Sequence, residues 1–69
     1  MKKNKKKLNK KELEILQYAA DGYSSAEIAE KLHFTVGSID NNFKLMMLKT
    51  DTVNRTHLAC DSIRKGLIQ

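Results

Sequence analysis

The sequence predicts an all-α fold, one small domain of four helices arranged around a helix-turn-helix. Three observations point there. The 69 residues include no proline and only three glycines, so little interrupts a helix. Four stretches repeat apolar residues at helical spacing rather than in strict alternation. Each of the four follows an asparagine, serine or threonine suited to an N-cap.

The first helix is expected from about Lys10 to Asp21. Asn9 is its N-cap, and Glu12 is placed to reach back to the cap N–H, as in a capping box. Leu13, Leu16 and Ala20 share a face that Ile15 and Ala19 widen, and Gly22 supplies the left-handed residue that ends the helix. Ser24 and Glu27 repeat the capping box for a second helix, with Ile28, Ala29 and Leu32 inside. At about eight residues this helix is too short to persist alone and must be held by tertiary contact.

His33-Phe34 reads as a tight turn, and Thr35 as the cap of a third helix running to about Lys49. Ile39, Phe43, Met46 and Met47 form its core stripe, with Val36 beside them. Thr50-Asp51-Thr52 breaks the pattern. Asn54 caps a fourth helix, about Arg55 to Lys65, with Leu58, Ala59, Ser62 and Ile63 inward. Gly66 ends it, and Leu67-Ile68 returns to the body. The second and third helices with their turn make a helix-turn-helix. Periodicity alone leaves a generic four-helix bundle open.

Charge divides unevenly along the chain. Residues 1–11 hold seven lysines and no acid, whereas residues 12–69 hold six basic and eight acidic residues, a net −2. The formal +5 therefore describes a basic arm and not a basic domain. Residues 1–7 are expected to form that flexible arm and residues 8–69 the folded domain. A core of this size supplies roughly 3–5 kcal/mol.

Other chemistries find little support. No apolar run approaches the length of a membrane span, and the N-terminus lacks the apolar stretch of a signal peptide. A lone Cys60, expected to be a small buried hydrophobe, builds no disulfide framework; it fits a cytoplasmic location. His57 and Cys60 lie three apart on one helix, but two ligands without a second pair do not make a zinc site. His33 reads as a surface or capping residue. No nucleophile–base arrangement, phosphate loop or carboxylate pair is visible. No metal, no cofactor and no enzymatic activity are expected.

The ordered fragments resemble the DNA-binding domain of the LuxR/GerE/NarL family. That family opens with L-T-x-R-E-x-E-V-L and a glycine, and this chain reads LNKKELEIL with Gly22. It continues with S-N-K-E-I-A and a leucine, here SSAEIAEKL from Ser24 to Leu32, and closes with N-R-x-x-A and G-L-I, here Asn54-Arg55 and Gly66-Leu67-Ile68. Leu8 to Ile68 aligns without an insertion. The resemblance implies a four-helix fold whose third helix lies in the major groove and whose fourth makes a dimer contact.

The match is poorest where that third helix begins. The family's T-V-K-x-H is here Ser38-Ile39-Asp40-Asn41-Asn42, so Asp40 replaces a DNA-facing lysine and Asn42 a histidine. Ala26 stands where the second helix often carries lysine. The exposed side of the third helix is expected to hold Gly37, Asn41, Lys44, Leu45 and Leu48. By the resemblance Asn41 and Lys44 occupy base-contacting positions, and Asp40 is a third candidate because a carboxylate accepts from cytosine N4. Thr35, Ser38, Lys31, Lys49 and Arg55 are candidate phosphate contacts, and Arg55 is equally a structural residue. Leu45 and Leu48 are unexpectedly apolar for a DNA face, which makes them candidates for a partner contact along with Cys60 and Arg64.

Two functions follow. One is a free-standing, homodimeric, sequence-specific regulator that binds double-stranded DNA and pairs through the C-terminal helix. The other is an interaction protein that pairs with another helix-turn-helix regulator and blocks it.

Overall fold

The computed structural model describes residues 7–69; the first six residues of the expected arm lie outside the described residues. Four helices follow one another: α1 (Lys10–Ala20), α2 (Ser25–Leu32), α3 (Val36–Thr50) and α4 (Arg55–Arg64). Among the described residues there is no strand, and no helix is long and apolar enough to cross a membrane.

The four N-caps are those expected, Asn9, Ser24, Thr35 and Asn54, each accepting the backbone N–H three residues on. In α1 and α2 the bond is reciprocated. Glu12 accepts the Asn9 N–H at 2.9 Å, and Glu27 accepts the Ser24 N–H at 2.8 Å. Those bonds satisfy donors that every helix start leaves orphaned. Gly22 and Gly66 take the positive φ that their turns need. The turn between α2 and α3 instead places His33 at φ 62°, and Asp51 ends α3 at φ 57°.

One core joins all four helices: Ile15 and Leu16 of α1, Ile28 and Ala29 of α2, Ile39, Phe43 and Met46 of α3, Leu58 of α4, and Ile68. Ile68 is drawn in by a two-way clasp. The Gln69 N–H donates to Gln17 Oε1 at 2.9 Å, and Gln17 Nε2 donates to the Gln69 carbonyl at 3.0 Å. Leu67 remains exposed, so only half of the expected apolar return packs.

The buried faces are narrower than the sequence pattern suggests. Ile63, expected inward, is 48% exposed, because helical rotation sets it roughly 120° from the direction that Leu58 and Ser62 share. Val36 in the first turn of α3 is likewise exposed, and Cys60 faces outward instead of into the core. The Ser62 hydroxyl is fully buried with no hydrogen-bond partner among the described residues.

Two polar ties link the helices, one beside the core and one nearer the surface. In the first, Glu12 of α1 is only 3% exposed, and the Lys49 ammonium at the end of α3 donates to both its carboxylate oxygens at 2.8 Å. In the second, Arg55 at the start of α4 donates from Nη2 to Asp40 Oδ1 at 2.6 Å and from Nη1 to Ser25 Oγ at 2.8 Å. The Ser25 hydroxyl donates in turn to Asp40 Oδ1 at 2.9 Å. The guanidinium also lies 4.2 Å from the centre of the Phe43 ring. This triangle joins the first turns of α2 and α4 to the first half of α3, fixing the angle of the helix-turn-helix.

The ties predict different losses. Lys49→Met strands a buried carboxylate, a change that costs about 3 kcal/mol and removes most of the stability of so small a domain. Urea melts should show a correspondingly lower midpoint, and Glu12→Leu combined with Lys49→Met should recover part of the loss. For Asp40, the Arg55 guanidinium and then the Ser25 hydroxyl hold its carboxyl below the usual aspartate range. A depressed folded-state value means the tie stabilises at neutral pH and fades as pH falls through that value, below about pH 4. The difference in melting temperature between the native chain and Asp40→Asn should therefore shrink from about pH 7 to about pH 2.5.

Candidate nucleic-acid interface

The face of α3 opposite its core stripe carries Gly37, Asn41, Lys44, Leu45 and Leu48, all exposed, as the helical wheel anticipates. Asp40 flanks that face on the side of α2 and α4, and its side chain is 47% exposed. Ser38 and Asn42 flank the other side, with Asn42 Nδ2 donating to the Ser38 carbonyl at 2.8 Å. Thr35 Oγ1 accepts the Ser38 N–H at 3.1 Å, which leaves its own O–H free to donate outward.

The structure sorts the candidate cations by how free they are. Lys44 has no carboxylate partner within 4.0 Å among the described residues. Lys31 lies exposed on α2 with its ammonium 5.5 Å from the Tyr23 ring centre. Lys49 and Arg55 are engaged inside the domain, by Glu12 and by Asp40 with Ser25. A phosphate that drew Lys49 away would strand Glu12. Arg55, at 46% side-chain exposure, keeps donors to spare beyond its two internal bonds.

Asp40 thus does not stand as an isolated negative charge on the helix. Its carboxylate is balanced by Arg55, and Lys44 one turn on adds to the attraction that keeps it ionised. Sequence reasoning read the charge reversal at this position but missed the compensating partner. It also missed Ser25, an ordinary first-turn serine until Asp40 lies beside it.

The remaining candidates sit on two apolar surfaces. Leu45 is 45% and Leu48 79% exposed, and Val53 in the loop before α4, 81% exposed, lies beside Leu48 at the end of α3. On α4, Cys60 points outward with Arg64 and the unexpectedly exposed Ile63. Ile63 and Cys60 border a shallow cleft of about 420 Å³ that Tyr23, Ser24, Ala59 and Arg55 also line.

This architecture agrees with comparisons to known proteins. Residues 6–61 match the GerE model, which describes bacterial regulatory proteins of the luxR family. Regulatory protein SdiA of Escherichia coli is 38% identical over 60 residues, 87% of this chain and 25% of that protein. Transcriptional regulatory protein DegU of Brevibacillus brevis is 31% identical over 62 residues, 90% of this chain and 26% of its own length. Oxygen regulatory protein NreC of Staphylococcus haemolyticus is 36% identical over 61 residues, 88% of this chain and 28% of that protein. The chain spans about a quarter of the length of these curated relatives. With its four capped helices, its helix-turn-helix and a match over most of its length, the chain belongs to the luxR family of bacterial regulatory proteins.

Proposed function

We propose that this domain is a sequence-specific transcription regulator that binds double-stranded DNA with α3 in the major groove. The observation that carries the reading is the balanced charge at the start of α3. With Asp40 compensated by Arg55, the outward face presents Lys44 as its uncompensated charge, beside an exposed amide at Asn41. Asn41 suits a bidentate contact to adenine, and Lys44 suits guanine O6 and N7. The hydroxyls of Thr35 and Ser38 at the start of α3 and the ammonium of Lys31 on α2 serve as phosphate contacts under this reading. Lys49 and Arg55 act first as structural residues under this reading, with Arg55 able to contribute its spare donors. The lysines of residues 1–7 add affinity independent of sequence.

Homodimerisation through α4 is part of the proposal. Cys60, Ile63 and Arg64 form a mixed surface on that helix, and pairing there would place two α3 helices on one duplex. A second reading is favoured by the exposed apolar residues Leu45 and Leu48 of α3, with Val53 beside Leu48. In that reading the surface docks on another helix-turn-helix regulator and antagonises it.

Gel shifts on a genomic fragment library at several salt concentrations test the first reading. Residues 8–69 alone should keep the sequence preference of the full chain, with a salt slope shallower by up to about 4.5 units, since five lysines are removed. Lys44→Ala should weaken specific binding about tenfold. A truncated domain with no preference at low salt would overturn the reading. Sedimentation of Ile63→Glu should show monomers where the native chain sediments as a dimer. Leu45→Lys with Leu48→Lys should leave DNA affinity equal or higher if α3 faces DNA, whereas the antagonist reading requires loss of regulator capture.

A further inference from the structure

We infer that Asp40 is a specificity-determining residue of the DNA interface, reading the exocyclic amine of a cytosine through its Oδ2 oxygen. The inference rests on the DNA-binding reading above and assigns one base preference within it.

The geometry divides the two carboxylate oxygens between two tasks. Both internal bonds, from Arg55 Nη2 and from the Ser25 hydroxyl, fall on Oδ1. Among the described residues no donor reaches Oδ2, and the side chain is 47% exposed. One oxygen is therefore anchored while the other is an open acceptor beside the Asn41 and Lys44 face. Two bonds from different helices hold the carboxylate plane, so little rotational freedom remains to be lost on contact.

Charge compensation makes such an acceptor compatible with DNA. A bare carboxylate entering the groove meets phosphate repulsion. Here the Arg55 guanidinium lies 2.6 Å from Oδ1, and the pair approaches the duplex as a dipole. In the major groove, cytosine N4 is the donor that suits an aspartate, whereas guanine O6 and N7 are acceptors that a carboxylate rejects. Adenine N6 is a donor too, but its neighbour N7 is an acceptor and faces the same carboxylate. Cytosine is the base that Oδ2 should select.

Arg55 is a positioning residue in this arrangement, because it sets the orientation of Asp40 and cancels its charge. The substitution Asp40→Asn supplies a sharp contrast. With the Arg55 and Ser25 donors still holding its carbonyl oxygen, its amide NH₂ falls where Oδ2 was. The acceptor becomes a donor without a change of shape, and the preferred partner changes from cytosine to guanine or another base with a groove acceptor.

The test is selection from a randomised duplex pool by the full chain and by Asp40→Asn, with helical circular dichroism as the folding control. The native chain should enrich a cytosine at one position of its site, and Asp40→Asn should lose that cytosine and favour an acceptor base there, with about tenfold altered discrimination. An independent arm leaves the protein untouched. Replacing that cytosine by 2-pyrimidinone, which lacks the 4-amino group, should weaken binding of the native chain about tenfold, while 5-methylcytosine, which keeps it, should not. An identical enriched site for both proteins, or indifference to 2-pyrimidinone at every cytosine, overturns the inference and leaves DNA binding standing. Failure of the native chain to enrich any site overturns both.

Discussion

A carboxylate with almost no solvent contact must be matched by donors, and Glu12 is matched from two directions at once. Its Oε1 accepts the Asn9 N–H, which starts α1, and both oxygens accept the Lys49 ammonium, which secures the end of α3. A local helix-capping bond and a long-range tie thus share one side chain. Burial makes the sharing consequential, because a carboxylate that loses one partner cannot turn to water for a replacement. The position of α3 against α1 depends on a group that also decides where α1 begins.

The tie at the other end of α3 is of a different kind. Asp40, Ser25 and Arg55 are partly open to solvent, so their direct contribution to stability is small. Their importance is geometric. Ser25 and Arg55 are each the first residue of a helix, and Asp40 lies in the first half of α3, so one triangle sets three helices against one another. Pinned near both ends, α3 carries Asn41, Lys44 and Leu45 on a span with little freedom to tilt. A recognition surface on such a span loses less entropy on contact than one on a loop.

This difference also explains what was legible in the sequence. Capping is local, a side chain meeting a backbone N–H three residues away, and so Asn9, Ser24, Thr35 and Asn54 could be read directly. The core of α3 was legible for a similar reason, since Ile39, Phe43 and Met46 recur at the helical period. The ties were not legible. Lys49 and Glu12 are 37 positions apart and Arg55 and Asp40 fifteen, and nothing in the intervening pattern says that their side chains converge. Ile63 and Cys60 went astray because α4 buries only a thin stripe through Leu58 and Ser62, narrower than an apolar pattern implies. The candidate site was legible as a face, through Asn41, Lys44, Leu45 and Leu48, but the balance of charge on it was not.

That balance changes how the charge of the domain is to be understood. A net of −2 over residues 12–69 counts every acid alike, yet the acids differ in what they present to an approaching polyanion. Glu12 is buried against Lys49, Asp40 is paired with Arg55, and Asp61 is paired with Lys65 at 3.0 Å. Glu27 sits at the positive end of α2, where its bonds to Ser24 hold its carboxyl low. At physiological salt a charge is felt over only about 8 Å, so what α3 meets depends on its immediate neighbours and not on the sum. Around Asp40 those neighbours are the Arg55 guanidinium and Lys44, so the local field is not that of a bare carboxylate. Toward its C-terminal end Leu48 and Val53 are exposed beside Lys44 and Asp51, an apolar patch edged by one charge of each sign. The exposed apolar surface of α3 thus lies toward its C-terminal end, one to two turns beyond the paired carboxylate at Asp40.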